Sequence, residues 1–235
     1  MSQFAVILAA AGMSQRFKDP HYKKVVVPLA GRPLWMYAAE AFSNRNDVAQ
    51  IIMVISPDDR ETFLEKFGGN LALLGAQVVL GGATRAQSVL NGLKEVRAEI
   101  PFVAIHDAAR PCISEVWVDA VFAKAKSTGA AILATPCNAT LKRANNDQVI
   151  EATVPREKLW LAQTPQVFRT ELLRTAYSQH PNPAQATDDA SIVEAHGHPV
   201  HIVEGSPLNI KVTTKADMKF AELALKSLPK KNPLW

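Results

Sequence analysis

Short apolar runs separated by helical patterns constrain this chain more than any other feature. Phe4–Leu8, Ile51–Ile55, Gln77–Leu80, Phe102–Ile105 and Gly129–Thr135 have the length of strands, and Leu34, Tyr37, Ala38 and Ala41 repeat at helical spacing between the first two. Strand followed by helix, several times over, predicts βαβ units around a mostly parallel sheet, a Rossmann-like doubly wound α/β fold. Local punctuation agrees. Ser56-Pro57 places a cap and a first-turn proline, Thr84 and Gln87 have the spacing of a capping box, and Ser114 opens another helix. Thr187 reads as a cap followed by first-turn carboxylates, Asn209–Thr213 as a short strand, and Thr214 with Asp217 as the cap of a terminal helix.

The alternation stops at Pro136. From there to Pro155 two polar, extended segments, Ala139–Ala144 and Val149–Val154, flank Asn145-Asn146-Asp147 and predict a projecting hairpin arm. Such a hairpin has no core of its own and needs a partner surface, or else stays a solvated loop. With 235 residues, of which 48% are hydrophobic and 20% charged, the chain can bury a core without covalent help. We read residues 1–235 as one domain with 136–155 as its arm.

Net charge is +4, but the basic residues are scattered, apart from a tail cluster at Lys226–Lys231 that reads as a solvated end. A small polyanion satisfies that balance, and the aromatic-basic interleaving of a nucleic-acid binder is missing. Cys112 and Cys137 lie far apart, which argues against a zinc site or a disulfide framework. With no secretory pattern and no run near the ~20 apolar residues of a membrane helix, the expectation is a cytoplasmic protein free of the membrane.

Chemistry concentrates at the ends of the strand runs. Ala9, Ala10, Ala11 and Gly12 follow the first, leading through Met-Ser-Gln to Arg16, then to Lys23-Lys24 and Pro28-Leu-Ala-Gly-Arg-Pro33. Small residues let backbone N–H groups approach phosphates while a guanidinium and an ammonium share the charge. The spacing does not fit a dinucleotide fingerprint, and no Gly-Lys-Ser/Thr tripeptide exists for a Walker loop. The fourth run ends in His106-Asp107-Ala108-Ala109-Arg110-Pro111, where Asp107 can hold Mg²⁺ against triphosphate oxygens or can simply pin a turn through Arg110.

Ala-Ala-Gly-x-x-x-Arg, a following lysine, Pro-Leu-Ala-Gly-Arg-Pro-Leu and His-Asp-Ala-Ala-Arg-Pro together resemble the 2-C-methyl-D-erythritol 4-phosphate cytidylyltransferases of the non-mevalonate isoprenoid pathway. The chain departs from that pattern at Ser14, where glycine is usual, at Ala83, commonly acidic, and at Tyr22-Lys23-Lys24-Val25 in place of Pro-Lys-Gln-Tyr. Counting back from Pro28 makes Lys24 the family lysine, whereas counting forward from Arg16 makes it Lys23. The matched segments run from residue 5 to about 217.

The resemblance implies the nucleotide-diphosphate-sugar transferase fold and transfer of the cytidylyl group of CTP to 2-C-methyl-D-erythritol 4-phosphate with release of pyrophosphate. It makes Arg16, Lys24, Arg156 and Lys211 catalytic cations, and it assigns the nucleotide to Ala9, Ala10, Ala11, Gly12, Gly81, Gly82, Ala83, Arg85, Ser88, Asp107 and Ala108. It assigns the acceptor to Arg110, Thr140, Arg156, Thr164, Thr187 and Lys211, and Mg²⁺ to Asp107. It also implies a homodimer, with the arm completing the acceptor site of a second subunit. Two rivals stay open: a cytidylyltransferase for ribitol 5-phosphate, and a nucleotide- or nucleic-acid-binding module without catalysis.

Overall fold

The structure, a computed structural model, describes residues 3–12, 17 and 24–230, with Lys24 described by its backbone alone. The chain begins with β1 (Phe4–Ala9), a small hairpin of β2 (Pro28–Leu29) and β3 (Arg32–Pro33), and α1 (Leu34–Ser43). It continues through β4 (Val48–Ile55), α2 (Arg60–Leu73), β5 (Ala76–Leu80), α3 (Arg85–Lys94), β6 (Phe102–Asp107), α4 (Glu115–Thr128) and β7 (Ala130–Pro136). The arm is β8 (Leu141–Ala144) with β9 (Ile150–Val154), and then come β10 (Trp160–Arg169), α5 (Thr170–Gln179), α6 (Asp189–Ala195), β11 (His201–Glu204) and α7 (Lys215–Lys226).

Among the described residues the main sheet has seven strands in the order β11-β7-β10-β6-β1-β4-β5. β1 runs parallel to β4 and β6, β4 to β5, and β7 to β11, while β10 lies antiparallel between β6 and β7. The fold is therefore a doubly wound, mostly parallel α/β sheet. Period-two burial explains why both faces are covered. Phe4, Val6 and Leu8 join Trp35 and Phe42 of α1, Phe63 of α2 and Phe122 of α4 on one face. Ala5 and Ile7 join Val89 of α3, Leu173 of α5 and Val193 of α6 on the other. Each such large apolar side chain contributes about 1.5–3 kcal/mol on burial, so strands apolar on both faces select this layered solution.

Four expectations need correction. Asn209–Thr213 forms no strand: Val212 N–H donates to Ala109 O and the Asn209 side chain to Thr164 O, so its bonds go singly to neighbouring loops. Ser56 stands at the cap of a short 3₁₀ turn, Pro57–Asp59, but its side chain makes no capping bond. Thr84 accepts from Gln87 N–H at 3.1 Å, yet Gln87 turns to Asn91 and leaves the capping box half made. Asp188, one residue beyond Thr187, caps α6 through Ser191 N–H. The cap of α7 is complete, with Thr214 and Asp217 bonding reciprocally.

The site is placed by connectivity. From β1 the chain adds β4 and β5 on one side, then returns to lay β6 on the other, so the order reverses at β1. Open α/β sheets bind ligands beyond the carboxyl ends of strands at such a point. Ala9 and Asp107, the last residues of β1 and β6, are paired there.

Candidate active site

A cleft of about 500 Å³ opens beyond the ends of β1, β4, β5 and β6. Its small-residue wall is Ala9, Ala10, Ala11 and Gly12, and Ala10 N–H donates to Val54 O at 2.8 Å. Facing it, Gly81, Gly82 and Ala83 lead from β5 into α3. Their glycines are demanded by close approach. A Cβ on Gly81 would lie 2.5 Å from Ala11 Cβ, and one on Gly82 2.1 Å from Gln87 Cγ. Ser88 Oγ accepts from Gly82 N–H at 3.1 Å and donates to Thr84 O at 2.9 Å, so this hydroxyl shapes the loop.

Arg85 lines the cleft and ties α3 to α6. Its guanidinium donates to fully buried Asp189 at 2.7 Å, and Tyr177 Oη donates to the other carboxylate oxygen at 2.6 Å. Burial would lower the Arg85 pKa, but the Asp189 charge outweighs it and raises it. Backbone N–H groups of Asp189 and Ala190 donate to buried Gln166, whose amide donates to Asp188.

On the cleft floor Asp107 Oδ2 meets Lys211 Nζ at 2.9 Å and Arg110 Nε at 3.2 Å. Burial alone would raise the Asp107 pKa; the charges of Lys211, Arg85 and Arg110 overcome it and hold the carboxyl well below its usual range. Beneath, Thr164 Oγ1 accepts from Asp107 N–H at 3.0 Å and bonds His106 Nδ1 at 3.0 Å, while His106 Nε2 reaches Arg110 O at 3.1 Å. The carbonyl can only accept, so Nε2 carries the proton and Thr164 donates to Nδ1. Burial, first among the causes, pushes His106 down to about 4 and keeps it neutral.

Most residues assigned to the nucleotide line this cleft: Ala9 to Gly12, Gly81 to Ala83, Arg85, Ser88 and Asp107, together with Lys211. Ala108 is fully buried and donates to Ala9 O, and its neighbour Ala109 faces the cleft. Arg110 stands beside the cleft, spending its guanidinium on Asp107 and on Asn209 O. Thr164 is buried with its hydroxyl engaged, and Thr187 is exposed in the loop before α6. Thr140 and Arg156 sit exposed at the two ends of the arm and are not brought to the cleft within one chain. Arg16, Lys23 and the Lys24 side chain lie outside the described residues. Val25, Ser56, Pro57, Asp58 and Thr84 also line the cleft. The signal for Ser56 to Asp58 was their position just past a parallel strand.

A backbone-lined cleft at the reversal point of a doubly wound sheet, with an ionised carboxylate held between cations, defines a nucleotide-binding α/β protein. The sequence model of the 2-C-methyl-D-erythritol 4-phosphate cytidylyltransferases matches residues 4–227, and the chain belongs to that nucleotidyltransferase family. It is 40% identical to the enzyme of that name from Rhodopirellula baltica, over 94% of each chain, and 39% identical to that of Bacillus velezensis, over 96% of this chain and 97% of the other. A crystal structure of a 2-C-methyl-D-erythritol 4-phosphate cytidylyltransferase from Thermus thermophilus superposes with a TM-score of 0.77 at 32% identity, covering 96% of this chain and all of that one.

Proposed function

We infer that the chain transfers the cytidylyl group of CTP to 2-C-methyl-D-erythritol 4-phosphate, giving 4-diphosphocytidyl-2-C-methyl-D-erythritol and pyrophosphate in isoprenoid precursor synthesis. Family membership over nearly the whole chain supports the reaction. The observation that carries its chemistry is the Lys211–Asp107–Arg110 cluster on the cleft floor, opposite the small-residue wall. An acceptor phosphate oxygen attacks the α-phosphorus, forming one P–O bond as the bond to the β-phosphate oxygen breaks and pyrophosphate leaves with the electron pair. A phosphate monoester, with a second pKa of about 6, is already ionised at neutral pH and needs no general base.

The remaining barrier is repulsion between two polyanions and charge on the five-coordinate centre, which preorganised cations reduce. Lys211 draws the acceptor phosphate toward the cleft, with Arg110 held on Asp107 beside it. Arg16 and Lys24 are assigned to the transferring phosphoryl by family likeness. The Gly81–Ala83 backbone, shaped by Ser88 and braced by Arg85, takes the cytosine.

Mg²⁺ is part of the proposal, and Asp107 fits it. Among the described residues no three His, Cys, Asp or Glu side chains gather into a metal site. One ionised carboxylate suits a cation held mainly by phosphate oxygens and water. When bound, the ion would neutralise triphosphate charge.

We also propose a homodimer through the arm. Val149 and Ile150 at its tip are each 60% exposed and Leu161 at its base 55%, apolar surface that a second chain would cover. Thr140 and Arg156 would then reach the partner's acceptor site, with Thr187 lining it from its own chain. A reducing, cytoplasmic setting suits Cys112 and Cys137, both free and buried, with burial pushing Cys112 up to about 12. Among the described residues no helix is long and apolar enough to cross a membrane.

The test is pyrophosphate release from CTP with each of two acceptors. Turnover with 2-C-methyl-D-erythritol 4-phosphate should far exceed that with ribitol 5-phosphate, and Lys211→Ala should lose on the order of 10²-fold of it. A preference for ribitol 5-phosphate would replace the acceptor, and release with neither would return the chain to the binding modules.

A further inference from the structure

Among the described residues no strand ladder holds Lys211. It lies in the loop between β11 and α7, yet its ammonium meets Asp107 at 2.9 Å. Val212 is fully buried and donates to Ala109 O, which seats one side of the lysine. On the other side stands Asn209, also fully buried. Its Nδ2 donates to Thr164 O at 2.9 Å and to Gln163 Oε1 at 3.3 Å, two acceptors that fix the orientation of the amide. Its backbone carbonyl accepts from Arg110 at 2.7 Å. Gln163 completes the anchor by donating to Ser206 O at 2.8 Å, and a side chain at Gly205 would strike Gln163 Oε1 at 2.5 Å.

These partners come from the stretch of β10 where the pairing with β7 slips, between Ala162 and Gln166. Thr164 lies in that irregular stretch, and its carbonyl accepts from Asn209. The same threonine receives Asp107 N–H through its hydroxyl. One irregular turn of strand thus sets both partners of the Asp107–Lys211 contact.

We infer that Asn209 is a positioning residue for the transfer, holding the backbone that delivers Lys211 to Asp107. The inference rests on the assignment of Lys211 to the acceptor phosphate. Asn209 touches no substrate in this scheme, so its effect must pass through Lys211. A displacement near 1 Å at such a cation can cost on the order of 10²-fold in rate.

The experiment is a double-mutant cycle of Asn209→Ala with Lys211→Ala in the full-length enzyme, with steady-state constants for both substrates. Asn209→Ala should lower kcat/KM for the acceptor about 10- to 100-fold while KM for CTP stays within about 2-fold, because the Gly81–Ser88 loop is held by other bonds. In the Lys211→Ala background the same change should cost almost nothing further. Gln163→Ala, which removes part of the same anchor, should give a smaller loss of the same kind, and it carries the test if Asn209→Ala does not fold. Equal damage to both substrates, additive losses, or a Gln163→Ala enzyme indistinguishable from wild type would overturn the inference while leaving Lys211 in place. Near-normal turnover by Lys211→Ala alone would instead remove the Lys211 assignment, and the inference with it.

Discussion

Ser88 shows how one hydroxyl can matter without facing the reaction. Its Oγ stands between Gly82 N–H and Thr84 O, so it ties the glycine loop to the first turn of α3. Removing it leaves a donor without its partner and frees a loop whose glycines already touch Ala11 and Gln87. Ser88→Ala should therefore raise KM for CTP about 5- to 30-fold, the equivalent of 1–2 kcal/mol, with KM for the acceptor unchanged. Steady-state pyrophosphate release reads both constants, and an unchanged KM for CTP would remove Ser88 from the cytosine loop. Gly81, Gly82 and Asp107 were visible in the sequence because glycine pairs and charged residues at strand ends stand out, and Lys211 only through the family resemblance. Asn209 and Gln163 were not, because a buried amide is distinguished only by the partners that the fold supplies.

The helix and hairpin ends carry their own chemistry. In the Pro28–Pro33 hairpin both turn residues, Ala30 at φ 46° and Gly31 at φ 82°, are left-handed, as a two-residue loop joining twisted strands requires. At α7 the Asp217 carboxylate accepts from Thr213 N–H and Oγ1–H at 2.7 Å each and from Thr214 N–H at 2.8 Å. Burial, the largest single influence, opposes ionisation, but these bonds together more than compensate, so its pKa lies below the usual carboxylate value. A carboxylate depressed on folding adds stability above its unfolded pKa of about 3.9 and loses it as pH falls through the folded value. Asp217→Ala should cost about 1 kcal/mol at pH 7, and the gap from wild type should close in acid below about pH 4. Urea unfolding across pH measures this; a gap that persists at low pH would mean that the carboxylate's charge contributes nothing. Thr214 and Asp217 were legible as a cap from spacing alone, whereas the half-made Thr84–Gln87 box was not, since Asn91 competes for the glutamine.

At the scale of the molecule, one chain brings Lys211 to the cleft but leaves Thr140 and Arg156 exposed on the arm. If paired chains complete one another's sites, Arg156→Ala and Lys211→Ala are each inactive alone, yet their heterodimer contains one intact site. Mixing and re-equilibrating equal amounts of the two variants should restore about a quarter of wild-type turnover, since half of the dimers are mixed and each has one good site. No recovery, with dimer exchange shown by labelled subunits, would mean that the site does not span two chains. Short strands apolar on both faces leave few ways to bury themselves, which is why the parallel core, its helices and the glycine loop could be read directly from residue order. β10 could not. Its Gln163, Thr164 and Gln166 are polar yet buried, each satisfied by a residue distant in sequence, so no local pattern marks this stretch as a central antiparallel strand. Periodicity is a local property of the chain, whereas the partner of a buried amide or hydroxyl exists only after distant segments have met, and the lysine that faces Asp107 is held in place by such partners.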